Sequence, residues 1–228
     1  MNELVFCAHL VVNLVFLLGA LKLGRLALVL FFALEVVLAN LLVLKQISFL
    51  GLSVTATDVY AVGAILALNL IQEYYGKEAA KKGVVLTFFA LVLFLVMTQF
   101  QLFYQPAAAD GAAEAYALIL QKMPRLITFS VAVFLIVQKI DLEIYGYLQK
   151  KAQKSGAKER FFFRRLFLAA FFSQTVDTVL FSFFALFGLM ANLFHVIFMA
   201  LMVKYLLILT SSSLVAFFKK RVRAADEI

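Results

Sequence analysis

The sequence predicts an all-α fold, a polytopic transmembrane helix bundle of six to seven helices. Three observations predict it. Of 228 residues, 65% are hydrophobic and only 15% are charged, whereas a soluble domain carries about 45–50% and about 25%. The mean hydropathy is +1.01. Seven apolar stretches are of the length, about 20 residues, that a helix needs to cross about 30 Å of hydrocarbon. They are 4–21, 26–44, 54–75, 84–104, 125–148, 166–188 and 191–218, and they describe a single transmembrane domain over 1–228.

The same composition excludes other classes. Intrinsic disorder needs low hydrophobicity. One cysteine, Cys7, forms no disulfide framework, and two histidines, His9 and His195, do not build a haem-rich or multi-metal protein. A β-barrel would show alternating segments of about ten residues, but runs such as LVFLLGAL and VVLTFFALVLFLV do not alternate.

Taken in order, the first stretch carries Glu3 rather than a basic leader, so it reads as a retained helix. Only Lys22-Leu23-Gly24-Arg25 joins it to the second, which predicts a tight helical hairpin. Polar residues interrupt the third and fifth stretches. The alanine-rich loop 105–124 fits equally a short helix over the external mouth or a plain connector. The loop 149–165 is a basic segment suited to anionic lipid. Only Gly188 and Asn192 separate the last two stretches.

The basic residues set the topology. Sixteen lie in alternate connections: Lys22 and Arg25, then Lys77, Lys81 and Lys82, then seven between Lys150 and Arg165, then four from Lys219. The other connections hold three, Lys45, Lys122 and Arg125. This asymmetry places the N-terminus outside and the C-terminus in the cytoplasm, and it alternates only with an odd number of spans. The net charge of +8 is thereby explained by topology, and no nucleic acid partner is expected.

Polar groups within spans are costly, so they mark function. They are Glu35 and Asn40 in the second span; Asn69, Gln72 and Glu73 in the third; Gln138, Asp141 and Glu143 in the fifth; Gln174 and Asp177 in the sixth; and Lys204 in the seventh. Gln138 and Asp141 are three apart, as are Gln174 and Asp177, so each pair shares a helix face. Asp141 precedes Lys150 by nine residues, and Gln174 follows Arg165 by nine. At 1.5 Å per residue, both lie roughly 13–14 Å from the cytoplasmic charges. The pairs therefore fall in one layer, with Glu35 at similar depth and Lys204 slightly outward. Carboxylates and amides in one layer suit a planar heterocycle, because a carboxylate accepts two N–H groups and an amide both donates and accepts. The competing expectation is that these groups hold helices together, Asp177 with Lys204 for example. Phenylalanines cluster around the second pair (Phe171, Phe172, Phe181, Phe183, Phe184), and one or two of them are candidates to stack on a flat ligand. Phosphate-loop, zinc-protease, CxxC and GxSxG motifs are missing, so no metal, cofactor or enzyme activity is expected.

Several segments resemble the queuosine precursor transporter family. NLIQEYYGKEAAKK (69–82) is similar to its "TD…E-x-YG-K…A" signature, VQKIDLEIY (137–145) to "Q-x-x-D-x-x-x-[FY]", and RRLFLAAFFSQTVDTVLFSFFALFG (164–188) to "R-N-…-Q-x-x-D-T-…-F-…-AF-G". Asn40 with Gly51, and Lys204, also fall where that family has Asn, Gly and Lys. The resemblance covers about residues 36–215. The chain departs from it at Asn69, usually Asp, and at Leu68, Leu166, Ala169, Ala170 and Ser211–Ser213.

The resemblance implies inner-membrane uptake of a 7-deazaguanine-type base such as preQ0, preQ1 or queuine, which feeds a tRNA modification. It also implies a fold similar to the substrate-binding subunits of energy-coupling-factor transporters. Carried onto this chain, it makes Asn40, Asn69, Glu73, Gln138, Asp141, Gln174, Asp177 and Lys204 substrate-site candidates. Asp177 and Glu73 would accept from the base, and Asp141 would orient a glutamine or pair with Lys204. Arg165 would anchor the cytoplasmic mouth, and Glu35 is the candidate for proton coupling. Membrane lipid surrounds the bundle, and a homo-oligomer or a separate ATPase module is a conceivable partner. The rival functions are a substrate-binding subunit needing such ATPases, a lipid-processing membrane enzyme, and a structural membrane protein.

Overall fold

A computed structural model describes residues 1–49, 52–107, 109–154, 161–187 and 193–218. The expected break at Gly188 and Asn192, Gly51, Lys158, Arg160 and the basic run from Lys219 lie outside the described residues, as does the side chain of His195. The helices are α1 (Asn2–Leu23), α2 (Arg25–Leu42), α3 (Asp58–Phe103), α4 (Ala113–Leu120), α5 (Met123–Lys154), α6 (Phe162–Phe181) and α7 (Leu193–Phe218). A π-turn, Ser182–Leu186, continues α6. Two strands, β1 (Gln46–Phe49) and β2 (Leu52–Thr55), pair antiparallel with Gln46 opposite Thr55.

Five helical segments among the described residues are long and apolar enough to cross a membrane: α1, α2, α3, Phe162–Ala185 and Val196–Phe217. Their outer faces present residues such as Phe16, Phe89 and Phe198, all more than half exposed. Apolar surface on that scale is a lipid-facing surface. Buried residues of α1, α2, α3, α5, α6 and α7 join in a single core cluster.

Where two spans were expected at 54–75 and 84–104, the helix runs on from Asp58 to Phe103. Glycine explains the difference. Gly76 has φ 85° and ψ 168°, and the helix folds back on itself there. The proof is a contact: a Cβ at Gly83 would lie 3.8 Å from Ile71 Cδ1. In a straight helix, residues twelve apart are about 18 Å apart. A single glycine thus replaces a loop, and the helix-favouring Lys-Glu-Ala-Ala-Lys-Lys that follows can remain helical. Gly24, with φ 103° and ψ −173°, turns the chain the same way between α1 and α2. Both turns sit at one end of the bundle, since Gly83 packs against Val29 and Phe32 of α2.

That end gathers Lys22, Arg25, Lys77, Lys81, Lys82, Lys150, Lys151 and Lys154, and is called the basic end here. The β-hairpin lies at the opposite end. It is tied to the start of α1 by Asn2 Nδ2 donating to the Ser48 carbonyl at 2.8 Å, and by Phe6 against Phe49. This hairpin was not expected from the sequence, and it shortens the third span, whose predicted start at 54 falls in β2. The loop 105–124 does hold a short helix, α4, whose Leu120 packs with Met123 and Ile127 against the second arm of α3. α5 traverses from the hairpin end, where Arg125 bonds the Phe187 carbonyl, to the basic end, where Glu143 pairs with Lys77. Among the described residues there are thus seven helical passages through the bundle, two of them within α3.

Candidate substrate site

A cavity of about 140 Å³ lies between α2, α3, α5, α6 and α7. Its polar lining is Asn40, Thr55, Thr57, Asp58, Ser130, Gln138, Gln174, Asp177, Thr178, Ser182 and Lys204, and its aromatic lining is Phe134 and Phe181. The contributing residues come from the hairpin-side parts of their helices: the end of α2, the start of α3, and the end of α6 with its π-turn. The cavity therefore occupies the hairpin-end half of the bundle.

Each side chain arrives there for a local reason. Asp58 opens α3 directly after β2, so the hairpin positions it. Asn40, near the end of α2, steadies itself by donating to the Val36 carbonyl at 2.8 Å. Gln138 of α5 and Asp177 of α6 both line the cavity. Lys204 of α7 reaches between two acids: its Nζ lies 3.2 Å from Asp177 Oδ2 and 3.8 Å from Asp58 Oδ1, and it donates to Thr178 Oγ1 at 2.9 Å. Gln174 makes one long bond, Nε2 to the Ala61 carbonyl at 3.4 Å. Asp58 Oδ2, Gln138 Oε1 and Gln174 Oε1 are buried without a hydrogen-bond partner among protein atoms. Each such acceptor costs about 1–3 kcal/mol if nothing answers it.

Of the residues expected at the site, the structure brings Asn40, Gln138, Gln174, Asp177 and Lys204 to the cavity. The others lie elsewhere. Asp141 sits one turn nearer the basic end, where its Oδ1 accepts from Ser173 Oγ at 2.7 Å. The expected Asp141–Lys204 pairing is replaced by this bond, because Lys204 is engaged one layer outward. Asn69 faces the same carboxylate without closing a hydrogen bond. Glu73 does not line the cavity. It is held at the basic side by Arg165 Nη2 at 2.7 Å, Tyr145 Oη at 2.9 Å and Gln149 Nε2 at 3.1 Å. Arg165 is there half of a buried ion pair, each side chain 2% exposed. Glu35 faces α1 and α3 rather than the cavity. Its Oε2 accepts from Asn13 Nδ2 at 2.8 Å, and Gly63 leaves room for its carboxylate.

Three polar layers thus stack from the hairpin end to the basic end: the cavity, the Asp141–Ser173 pair, and the Glu73–Arg165 cluster. Sequence reasoning missed Asp58, Ser173 and Asn13, and it gave no role to Tyr145, which stood in the quoted motif. Asp58 carried a readable signal, a carboxylate inside the predicted span 54–75, but its place near the span's start made it look like a flank. Among the named phenylalanines, Phe181 lines the cavity. Phe171 stacks on Tyr205 instead, and Phe172, Phe183 and Phe184 are exposed.

Comparison with known proteins agrees with this architecture. The chain is 27% identical over 181 residues to a Bacillus subtilis (strain 168) protein named "Probable queuosine precursor transporter", covering 79% of this chain and 76% of that protein. No solved structure matches it. The family described as "Putative vitamin uptake transporter" matches residues 55–218, from the last residue of β2 to the end of α7. That stretch holds every side chain of the cavity except those of α2 and of Val43 just after it. This membrane protein, whose apolar helices enclose a polar cavity, belongs to that family of vitamin uptake transporters.

Proposed function

We propose that the protein imports a 7-deazaguanine-type base, a queuosine precursor, across the inner (plasma) membrane. In this reading the N-terminus is outside and the C-terminus is in the cytoplasm. The observation that carries the proposal is the cavity with acceptor oxygens in surplus: Asp58 Oδ2, Gln138 Oε1 and Gln174 Oε1 have no partner, and Asp177 stands 29% exposed. A guanine-like edge is rich in N–H donors and matches that surplus. Asp177 accepts from the ring N–H and the exocyclic amine, the two glutamines take the remaining edge, and Lys204 donates to the carbonyl oxygen. Phe134 and Phe181 offer apolar faces to the ring. An engineered cavity of about 150 Å³ takes one benzene, so the six-membered ring fills the space between the glutamines. The printed name of the Bacillus subtilis relative supports this substrate class.

Transport requires that the two inner layers part. The cavity lies toward the hairpin end, and the Asp141–Ser173 and Glu73–Arg165 contacts close the basic end. The test is genetic. The chain is expressed in a bacterium lacking both queuosine synthesis and its own importer, and queuosine is measured in tRNA with each precursor supplied at low concentration. The expected result is restored queuosine, lost in Asp177→Asn with the protein still in the membrane. Unchanged uptake by Asp177→Asn removes that carboxylate from the site. Uptake by the purified chain in liposomes excludes a dependence on separate ATPases.

A further inference from the structure

Asp58 alters the charge balance of the cavity. Among the described residues, three ionisable side chains line it, Asp58, Asp177 and Lys204. One ammonium therefore serves two carboxylates, and the formal charge is −1. Lys204 is nearer to Asp177, at 3.2 Å, than to Asp58, at 3.8 Å. Asp58 is almost fully buried, and its Oδ2 has no partner among protein atoms. A buried carboxylate persists only when it is paired and hydrogen-bonded. The lining amides carry no net charge and do not correct the imbalance: Gln138 and Gln174 each leave an oxygen unpartnered, and Gln174 Nε2 is spent on the Ala61 carbonyl. The surplus is therefore both of negative charge and of acceptors, and a guest that answers both carries one positive charge on an N–H-rich group.

Resting on the reading above, we propose that the cavity takes its ligand as a monocation: a flat deazaguanine-type base bearing an alkylammonium arm, neutralised by the Asp58–Asp177 pair. A neutral base of the same shape satisfies the acceptors of the ring edge but leaves the second carboxylate uncompensated. Asp58 is then the residue that sets specificity by charge, and Asp177 the residue that holds the ring.

The experiment compares two probes that differ only at the arm: 7-aminomethyl-7-deazaguanine, an ammonium at neutral pH, and 7-cyano-7-deazaguanine, which is neutral. Binding of each to the full chain in nanodiscs is measured at neutral pH, with and without sodium. The expected result is at least about tenfold tighter binding of the aminomethyl base, equivalent to about 1.4 kcal/mol. Asp58→Asn brings the two bases to within about twofold of each other by weakening the aminomethyl base. Lys204→Gln removes the compensating ammonium and widens the preference. These two variants move the ratio in opposite directions, so either one that folds tests the idea. Equal binding of the two bases, a preference that survives Asp58→Asn, or a cyano base that matches the aminomethyl base once sodium is added would overturn the proposal. Tight binding of the neutral base overturns the charge preference while leaving the importer reading intact. Binding of neither base by folded protein overturns both.

Discussion

At the scale of single residues, the sharpest energetic statement concerns Arg165 and Glu73. Both are buried, and the ion pair between them is reinforced by the Tyr145 hydroxyl and the Gln149 amide on the other carboxylate oxygen. Arg165 also lies over the Phe162 ring at 5.7 Å. Breaking such a pair from one side leaves an uncompensated buried charge and costs about 3–5 kcal/mol, whereas replacing both partners is far milder. Arg165→Met and Glu73→Gln are each expected to destabilise the protein by that amount, and the double variant by clearly less than either sum. Thermal and denaturant unfolding in micelles, arranged as a double-mutant cycle, reads the coupling. Additive losses would mean the two side chains act separately. A second case is Gly63. A Cβ there would overlap the Glu35 carboxylate and come within 2.9 Å of Asn13 Oδ1. Gly63→Ala should cost about 1–3 kcal/mol through overpacking, and Asn13→Ala in the same background should add little, because the Asn13–Glu35 bond is already displaced.

At the scale of elements, two glycines do the work of loops. Gly76 has open space where a Cβ would go, so Gly76→Ala meets no atom and is penalised only by its positive φ. Gly19 also has open space but lies in the regular part of α1. Gly76→Ala should therefore lose about 1–3 kcal/mol, while Gly19→Ala should be neutral or gain up to about 1 kcal/mol. The comparison of the two melting temperatures isolates backbone strain from packing. The same glycines show what was legible in the sequence. The hairpin at Gly24 was readable because only four residues, two of them basic and one glycine, separate two apolar runs. The turn at Gly76 was readable as a break but not as one residue wide, since the lysines that suggested a loop are also good helix formers. The β-hairpin was hidden because each strand is four residues long and lies beside a long apolar helix. Of the polar residues in spans, Asn40, Asn69, Glu73, Gln138, Asp141, Gln174 and Lys204 are buried, whereas Asp177 is partly exposed and Glu143 is an exposed partner of Lys77 at the basic end. Their grouping was not legible. Spacing gives the face of one helix but not its rotation against the next, and a shift of one turn sent Asp141 to Ser173 and left Glu73 with Arg165.

At the scale of the whole molecule, an odd number of passages predicts termini on opposite sides of the membrane, and the charge asymmetry predicts the direction. The chain's lone thiol, Cys7, is exposed, so a Cys7→Ala background lets single cysteines report sidedness. Asn2→Cys should react with a membrane-impermeant maleimide added to intact cells, and Lys154→Cys only after permeabilisation. The reverse pattern would invert the topology and with it the direction of uptake. The same chemistry examines access to the site. Thr55 lines the cavity at its hairpin side, while Ser173 lies in the layer beneath it, bonded to Asp141. With the basic end closed by two polar layers, Thr55→Cys should label from outside and be protected by the transported base. Ser173→Cys should stay unreactive from outside and gain reactivity when Arg165→Met loosens the basic side. Labelling of Ser173→Cys as fast as Thr55→Cys would show that the layers do not separate the cavity from the cytoplasm. The two contacts would then not be the barrier that import has to open.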